Sequence, residues 1–383
     1  MRIGFFTDTY LPVVHGVVIS IETFRKSLEK MGHKVFIYAP HVPGYKDKNP
    51  NVFRFESIRV IEKPEMRLAL PFLPKDHTGK VLDFKLDIAH AHTPFSMGFL
   101  AKYIADHQKI PLVYTHHTHY PEYAKFYIKE KIITPLLARF LSAWYSNMAD
   151  VIIAPSYKIK KLLQEYGVKK KKPIYVLPTG VNPKVFKPSR RIKLRLRKKL
   201  KIFPKSRILV FVGRMGKEKN PEFLLRVMGE ILKRNNDVFL LMVGDGPALK
   251  EFQKISQKLG IENNVIFTKA VPYKEIPDYY QASDIFVFAS LTDTQGIVIL
   301  EAMASGLPIV ALKDAAFQEV VVYNKNGFLI KKASTKIFAN IILKILNDSR
   351  FYRKLSHNSR KFAYAFSEEN QAKKLLKIYK NLV

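Results

Sequence analysis

Short apolar runs rich in β-branched residues alternate with helical stretches along the whole chain, and no other feature limits the possible folds so tightly. In the first half the runs fall at residues 2–6, 34–39, 87–90, 112–115, 151–154 and 174–177. Helical patterns separate most of them; the first covers residues 19–31 and is closed by Gly32. The second half repeats the scheme at residues 208–212, 238–243, 265–268, 285–289, 309–312 and 327–330, and Asn220-Pro221 supplies a cap and a first-turn proline for one of its helices. Strands separated by helices build parallel sheets covered on both faces, so the alternation predicts an α/β chain. At 383 residues there is chain enough for two such cores, and a joint is expected in residues 178–205, where Pro178, Pro183, Pro188 and Pro204 punctuate a basic segment. In doubly wound domains of this kind ligands sit at the carboxyl ends of the strands.

Residues 289–311, ASLTDTQGIVILEAMASGLPIVA, carry the strongest chemical signal. An apolar strand runs into a polar loop, and a helix then opens near Gly296 and stops at Ser305-Gly306-Leu307-Pro308. A helix start has unpaired N–H groups and the positive end of the helix dipole, which suit a phosphate. Two acids bracket it, Asp293 in the loop and Glu301 in the helix, and carboxylates accept hydrogen bonds from sugar hydroxyls. A sugar nucleotide has both parts. Taken singly, Asp293 also reads as a turn residue and Glu301 as a solvated helix residue. A second strand end, residues 213–220, offers two cations, Arg214 and Lys219, that can clamp a diphosphate as charge grows on it. Among 65 basic residues, surface charge is the competing reading.

The string DTQGIVILEAMASGLPIVA resembles the signature of the family 4 retaining glycosyltransferases of the GT-B fold, and the resemblance covers nearly the whole chain. It is closest over residues 207–330 and thinnest over 49–84. It implies two doubly wound Rossmann-like domains facing a central cleft: residues 1–182 for acceptor and membrane, residues 183–366 for the nucleotide sugar, and a last helix, 367–383, crossing back to the first domain. It also implies that Asp293 contacts the transferred sugar and Glu301 the ribose, that Arg214 and Lys219 hold the diphosphate, and that Thr294, Gln295 and Gly296 complete the donor site. Asp293 departs from the family's glutamate by one methylene.

Two further motifs take their meaning from the same resemblance. Tyr10-Leu11-Pro12-Val13-Val14-His15-Gly16-Val17 looks like the family's glycine-containing loop, where Gly16 lets backbone approach the donor; a plain turn is the alternative. Thr115-His116-His117-Thr118-His119-Tyr120 resembles its His-Thr motif, which makes His117 the residue beside the reacting carbon. Three histidines in four residues, with His90 and His92 on another strand end, also raise a metal site, but neither neighbouring acids nor a helical i, i+4 pair supports one. No metal or cofactor is expected. Gly244-Asp245-Gly246-Pro247 borders the pocket by resemblance, and residues 271–276 meet the nucleobase.

Composition addresses the acceptor. Apolar residues at 47% and charged residues at 25% are globular values, and there is no cysteine, which excludes disulfides and thiolate chemistry. No apolar run is long enough to span a bilayer, and the N-terminus reads as a strand, not a signal peptide. The 65 Lys and Arg against 32 Asp and Glu leave a net charge of +33, which calls for a polyanionic partner or a lysine-rich bias. The densest basic runs, residues 169–172 and 190–201, suit an anionic leaflet. A Pro-broken apolar stretch at 65–75 is either a lip entering a bilayer or a packed loop, and Arg67, Leu70, Phe72, Leu73, Tyr120 and Lys125 are the acceptor and membrane candidates. The pattern at 126–148 predicts an amphipathic helix that packs Ile133, Leu137, Phe140, Leu141, Trp144 and Met148 onto the core.

Charge, lip and signature together look like the glycolipid-forming members of the family, in particular the diacylglycerol glucosyltransferases. The expected reaction is transfer of a hexose, glucose from UDP-glucose, with retention, to a lipid such as 1,2-diacylglycerol, by a cytoplasmic enzyme peripheral on the inner face of the cell membrane. Phosphatidylinositol mannosyl transfer and a soluble acceptor are the alternatives. A nucleic-acid partner is not expected: the charge would allow it, but no helix-turn-helix, zinc-finger or RNP pattern accompanies it.

Overall fold

The computed structural model describes residues 1–60, 63–72, 83–122 and 133–383. The chain forms two compact units, Met1–Gly180 with Glu368–Val383, and Val181–Ser367.

The first unit runs β1 (Arg2–Phe6), α1 (Gly16–Lys30), β2 (Lys34–Pro40), β3 (Val52–Phe55), β4 (Ser57–Val60), β5 (Lys63–Ala69), β6 (Ile88–Ala91), α2 (Ser96–Gln108), β7 (Leu112–Thr115), α3 (Ile133–Met148), β8 (Val151–Ala154), α4 (Tyr157–Glu165) and β9 (Ile174–Val176). Its sheet has the order β3-β2-β1-β6-β7-β8-β9, with every pair parallel, Ile3 lying between Val35 and Ile88. Successive side chains of a strand point to opposite faces. Phe5 accordingly packs with Val18, Ile21, Phe24 and Leu28 of α1, and with Leu375 and Tyr379 of the C-terminal helix Glu368–Lys380. Phe6 joins Tyr38, Leu100, Ile104, Tyr114 and Tyr145 on the other face. The order reverses direction between β1 and β6, the switch point at which ligands bind in such sheets.

β4 and β5 pair antiparallel, Ile58 with Leu68. The sequence reading had no strand there, and treated residues 65–75 as one irregular stretch.

The second unit runs α5 (Arg190–Lys199), β10 (Arg207–Val212), α6 (Pro221–Leu232), β11 (Val238–Val243), α7 (Leu249–Lys258), β12 (Val265–Phe267), α8 (Ile276–Ala282), β13 (Ile285–Phe288), α9 (Ile297–Ala304), β14 (Ile309–Leu312), β15 (Gly327–Ile330), α10 (Thr335–Asn347) and α11 (Ser349–Ala365). The sheet order is β12-β11-β10-β13-β14-β15, again all parallel, so the switch point lies between β10 and β13. The loops that leave those two strands carry Arg214, Lys219 and Asp293.

The basic run at 190–201 is only partly a charged surface. Arg197, 1% exposed, donates to the carbonyls of Ala282 (2.9 Å), Pro204 (2.9 Å) and Ser206 (2.6 Å) and to Asp284 Oδ2 (2.7 Å). Lys193 reaches Asp284 Oδ1 at 2.7 Å. These two cations hold α5 on its own sheet and are not offered to an anionic leaflet.

Candidate active site

In the second unit, β10 ends at Val212 and the chain turns through Gly213 against the loop that leaves β11. A Cβ on Gly244, whose φ is +132°, would lie 2.1 Å from the Gly213 carbonyl oxygen, so only glycine allows the two turns to approach. The following 3-10 turn, Lys217–Lys219, stops at Asn220, whose φ of 52° is left-handed. Asn220 makes no side-chain cap; it starts α6 by backbone geometry, with Pro221 in the first turn. This presents Lys219 toward the loop after β13.

That loop is tied to the first one. Ser290 and Thr292 hydroxyls both donate to the Glu218 carbonyl, at 3.4 and 3.2 Å. The tie brings Lys219 Nζ to 2.9 Å from Asp293 Oδ1, with both side chains largely covered. Arg214, Thr294 and Gln295 are half-buried around the pair. Gly296 has φ +70° and ψ +57°, and a Cβ there would meet the Phe317 ring at 2.7 Å. The residue thus turns the chain sharply into α9, which starts without a side-chain cap.

One turn into α9, Glu301 is 1% exposed, which rules out the solvated helix residue. Its Oε1 accepts from Tyr273 Oη and its Oε2 from Tyr280 Oη, each at 2.8 Å. Burial raises its carboxyl to about 7, against the opposing pull of the two tyrosine hydrogen bonds. Sequence reasoning missed both tyrosines as partners; Tyr273 lies within the stretch 271–276 that the resemblance assigns to the nucleobase.

In the first unit the loops after β1, β6 and β7 meet at the switch point. Asp8 accepts from Ser96 Oγ (2.6 Å), Met97 N (3.1 Å) and Thr93 Oγ1 (2.5 Å), so an acid from the first loop caps α2. Gly16 is the first residue of α1, and a Cβ there would touch nothing within 4 Å, so the fold itself does not require glycine. His117 Nε2 lies 2.9 Å from His92 Nδ1. Burial holds both rings neutral, His117 down at about 3 and His92 well below its usual range. His90 is a structural histidine, bonded to Tyr379 Oη (2.5 Å) and Thr115 Oγ1 (2.7 Å). Among the described residues no group of three His, Cys, Asp or Glu is placed to hold a metal ion.

The acceptor candidates divide. Leu73 and Lys125 lie outside the described residues, as do residues 126–132 of the expected helix. Arg67 is engaged within the β4–β5 pair, donating to Ser57 Oγ and Ser57 O at 2.8 Å. Leu70 is half-buried, and its N–H donates to the Glu56 carbonyl at 2.7 Å. Tyr120 is half-buried against Phe95. Phe72 is 58% exposed, with its ring edge on Tyr103.

Of the apolar side of α3, Met148 packs on the core, but most of the large residues do not. Phe140 is 62% and Trp144 44% exposed, and Leu136, Leu137 and Leu141 lie open beside them. The buried side is instead Ser142, Ala143, Tyr145 and Ser146, with Tyr145 Oη donating to the Gly98 carbonyl. At Gly98 a Cβ would lie 2.9 Å from the Tyr145 hydroxyl, so the absence of a side chain there leaves room for the Tyr145 ring. Phe95, Phe99 and Tyr103, four residues apart on α2, extend the same surface: Phe99 meets Trp144 and Tyr103 meets Phe72. That spacing was legible in the sequence and was missed. No described helix is long and apolar enough to cross a membrane.

The chain is similar to known proteins. The family description Glycosyltransferase Family 4 matches residues 14–185, and Glycosyl transferases group 1 matches residues 193–362. An alpha-monoglucosyldiacylglycerol synthase of Streptococcus pneumoniae is 37% identical over 326 residues, covering 81% of this chain and 71% of that protein. A protein of the same name from Acholeplasma laidlawii is 30% identical over 401 residues, covering 100% and 98%. Among solved structures, Anabaena HepE in complex with UDP and glucose superposes with a TM-score of 0.81 at 20% identity, over all of both chains.

Proposed function

The chain belongs to the family 4, group 1 glycosyltransferases of the GT-B fold, and from that premise we propose that it moves glucose from UDP-glucose to a membrane lipid such as 1,2-diacylglycerol, with retention at the anomeric carbon and without a metal. The observation that carries the reading is the convergence of Lys219, Asp293, the start of α9 and the buried Glu301 around one switch point. The two glucosyldiacylglycerol synthases support the choice of sugar and acceptor, and HepE, crystallised with UDP and glucose, supports the nucleotide.

The chemistry follows from the residues. As the bond from the anomeric carbon to the diphosphate breaks, negative charge grows on the leaving phosphate. Arg214, Lys219 and the N–H groups at Gly296 stabilise it. An ammonium has three donors, so Lys219 can hold Asp293 and a phosphate oxygen together. A carboxylate has about four lone-pair sites; Asp293 keeps capacity for a sugar hydroxyl and Glu301 for the ribose. Thr294 and Gln295 line the donor, Gly16 admits the phosphates, and His117 holds the sugar near its reacting carbon. The acceptor hydroxyl bonds to that carbon on the face the phosphate leaves, and its proton passes to the departing phosphate oxygen.

The exposed aromatic surface of α2, α3 and Phe72 supports a lipid acceptor, and the +33 charge supports an anionic bilayer. The test is a panel of sugar nucleotides against diacylglycerol vesicles, phosphatidylinositol vesicles and soluble sugars, read by mass spectrometry of the product. Glucosyl-diacylglycerol made from UDP-glucose is the expected result. Mannosyl transfer to phosphatidylinositol, or transfer confined to soluble sugars, overturns the assignment of acceptor.

A further inference from the structure

We propose that His92 is a positioning residue that fixes His117 in the tautomer with its proton on Nδ1, so that His117 meets the donor sugar as a hydrogen-bond donor and not as a base. The sugar-binding half rests on the reading above; the tautomer rests on geometry alone.

His92 follows β6 and His117 follows β7, and the two rings are nearly coplanar, 18° apart, with His92 Nδ1 and His117 Nε2 separated by 2.9 Å. Two neutral imidazoles joined in this way share one proton, and their separation by itself leaves either as the donor. The far nitrogen of His92 decides between them. His92 Nε2 is buried and has no hydrogen-bond partner, with the ring enclosed by His90 at 4.3 Å and Phe5 at 4.7 Å between centroids. If His117 were the donor, the His92 proton would sit on Nε2 as a buried, orphaned N–H, which folded proteins rarely tolerate; an unused lone pair is tolerated more often. The proton of His92 therefore belongs on Nδ1, donated to His117.

His117 Nε2 is then the acceptor, and its own proton is on Nδ1. That nitrogen has no partner among the described residues, and the ring is half-buried, so its N–H is available to a ligand oxygen. Free histidine favours the opposite tautomer, so the enclosed His92 does work on His117 that solvent would not. His92 is itself held in place: its backbone N–H donates to the Phe6 carbonyl at 2.8 Å and its ring stacks on His90, which Tyr379 and Thr115 pin on both sides.

The test is two-bond nitrogen–proton correlation NMR on the full chain labelled with 15N-histidine, with the His117 signals assigned by their loss in His117→Gln. The expected wild-type pattern is protonated Nδ1 on His117 and protonated Nδ1 on His92. In His92→Phe, which keeps a ring but no donor, the His117 proton should move toward Nε2. In His92→Asn, whose amide can donate from near the same place, it should stay on Nδ1. With UDP-glucose, kcat/KM should fall about tenfold or more in His92→Phe and recover to within about threefold in His92→Asn. A wild-type His117 protonated on Nε2 overturns the proposal whether or not either variant folds. A tautomer that follows His92 while kcat/KM stays unchanged overturns the sugar-facing role. Failure of the transferase reading would look different: no sugar nucleotide would be turned over by the wild type, with the wild-type tautomer as expected.

Discussion

The ammonium of Lys219 stands 2.9 Å from the carboxylate of Asp293, seventy-four residues further along the chain. Sheet order makes the contact possible, because β10 and β13 are neighbours and their loops leave the same edge. Each partner fixes the other's position, so the cation proposed to hold the diphosphate and the acid proposed to hold the sugar are set as one unit.

Removing the cation should therefore damage chemistry more than folding. Lys219→Ala is expected to lower turnover on the order of a hundredfold to a thousandfold, as loss of a charge-stabilising donor does. The pair is a single partly covered contact, so the melting temperature should drop by only about 2–4 °C. Initial rates and thermal melts check both parts; a variant with normal turnover removes the phosphate clamp.

Glu301 predicts a pH signature. Its folded pKa of about 7 lies above the ordinary 4.5, so between those values the folded chain keeps a proton that the unfolded chain has lost. Its contribution to stability thus falls as pH rises through that window, by an amount on the order of 3 kcal/mol, and the deficit is complete above the folded value. Glu301→Gln lacks the deficit. Denaturant unfolding at pH 5 and pH 8 should show the variant gaining on the wild type at the higher pH; parallel pH dependence in the two proteins contradicts this.

Arg197 separates structural from surface charge within one helix. Arg197→Ala leaves Asp284 buried without its guanidinium and should cost about 3–5 kcal/mol. Arg191→Ala, at an exposed position of the same helix, should change stability by less than about 0.5 kcal/mol. Denaturant unfolding of both variants distinguishes them, and equal effects would show that the Arg197 network is not what holds α5.

The exposed face of α3 predicts vesicle binding. Phe140→Ser with Trp144→Ser should weaken sedimentation with anionic vesicles by about tenfold or more, since each loses a large apolar side chain that a bilayer would bury. Melting temperature and UDP-glucose binding should be unchanged. Sedimentation equal to the wild type would remove this face from the membrane account.

How far the sequence reaches can be traced through these residues. The parallel strands other than β3 were legible to within about one residue, because apolar runs such as RILVFV and VFLLMV are continuous and bounded by turn residues; β3, the short edge strand Val52–Phe55, was missed because Arg54 interrupts its apolar run. The β4–β5 pair was not legible either, since Lys63, Pro64, Glu65 and Arg67 break the alternation that marks a strand. Periodicity showed that α3 has an apolar side but not what covers it; Ser142, Ala143 and Ser146 on the side that is buried were the overlooked sign. Arg197 read as surface because a charge run gives no hint of which member finds carbonyls to bond. Arg214, Lys219, Asp293 and Glu301 were picked out by family resemblance, whereas the Lys219–Asp293 contact, the tyrosine partners of Glu301 and the His92–His117 pair depend on strand order and required the fold.

The central claim is that the second unit holds a nucleotide-linked hexose without a metal. Calorimetric titration of the wild-type chain with UDP-glucose in the presence of a chelator tests it most directly, with GDP-mannose run beside it. The account predicts saturable binding of UDP-glucose that weakens by about tenfold or more in Lys219→Ala. Absence of binding by either sugar nucleotide, or equal affinity in wild type and variant, would contradict it.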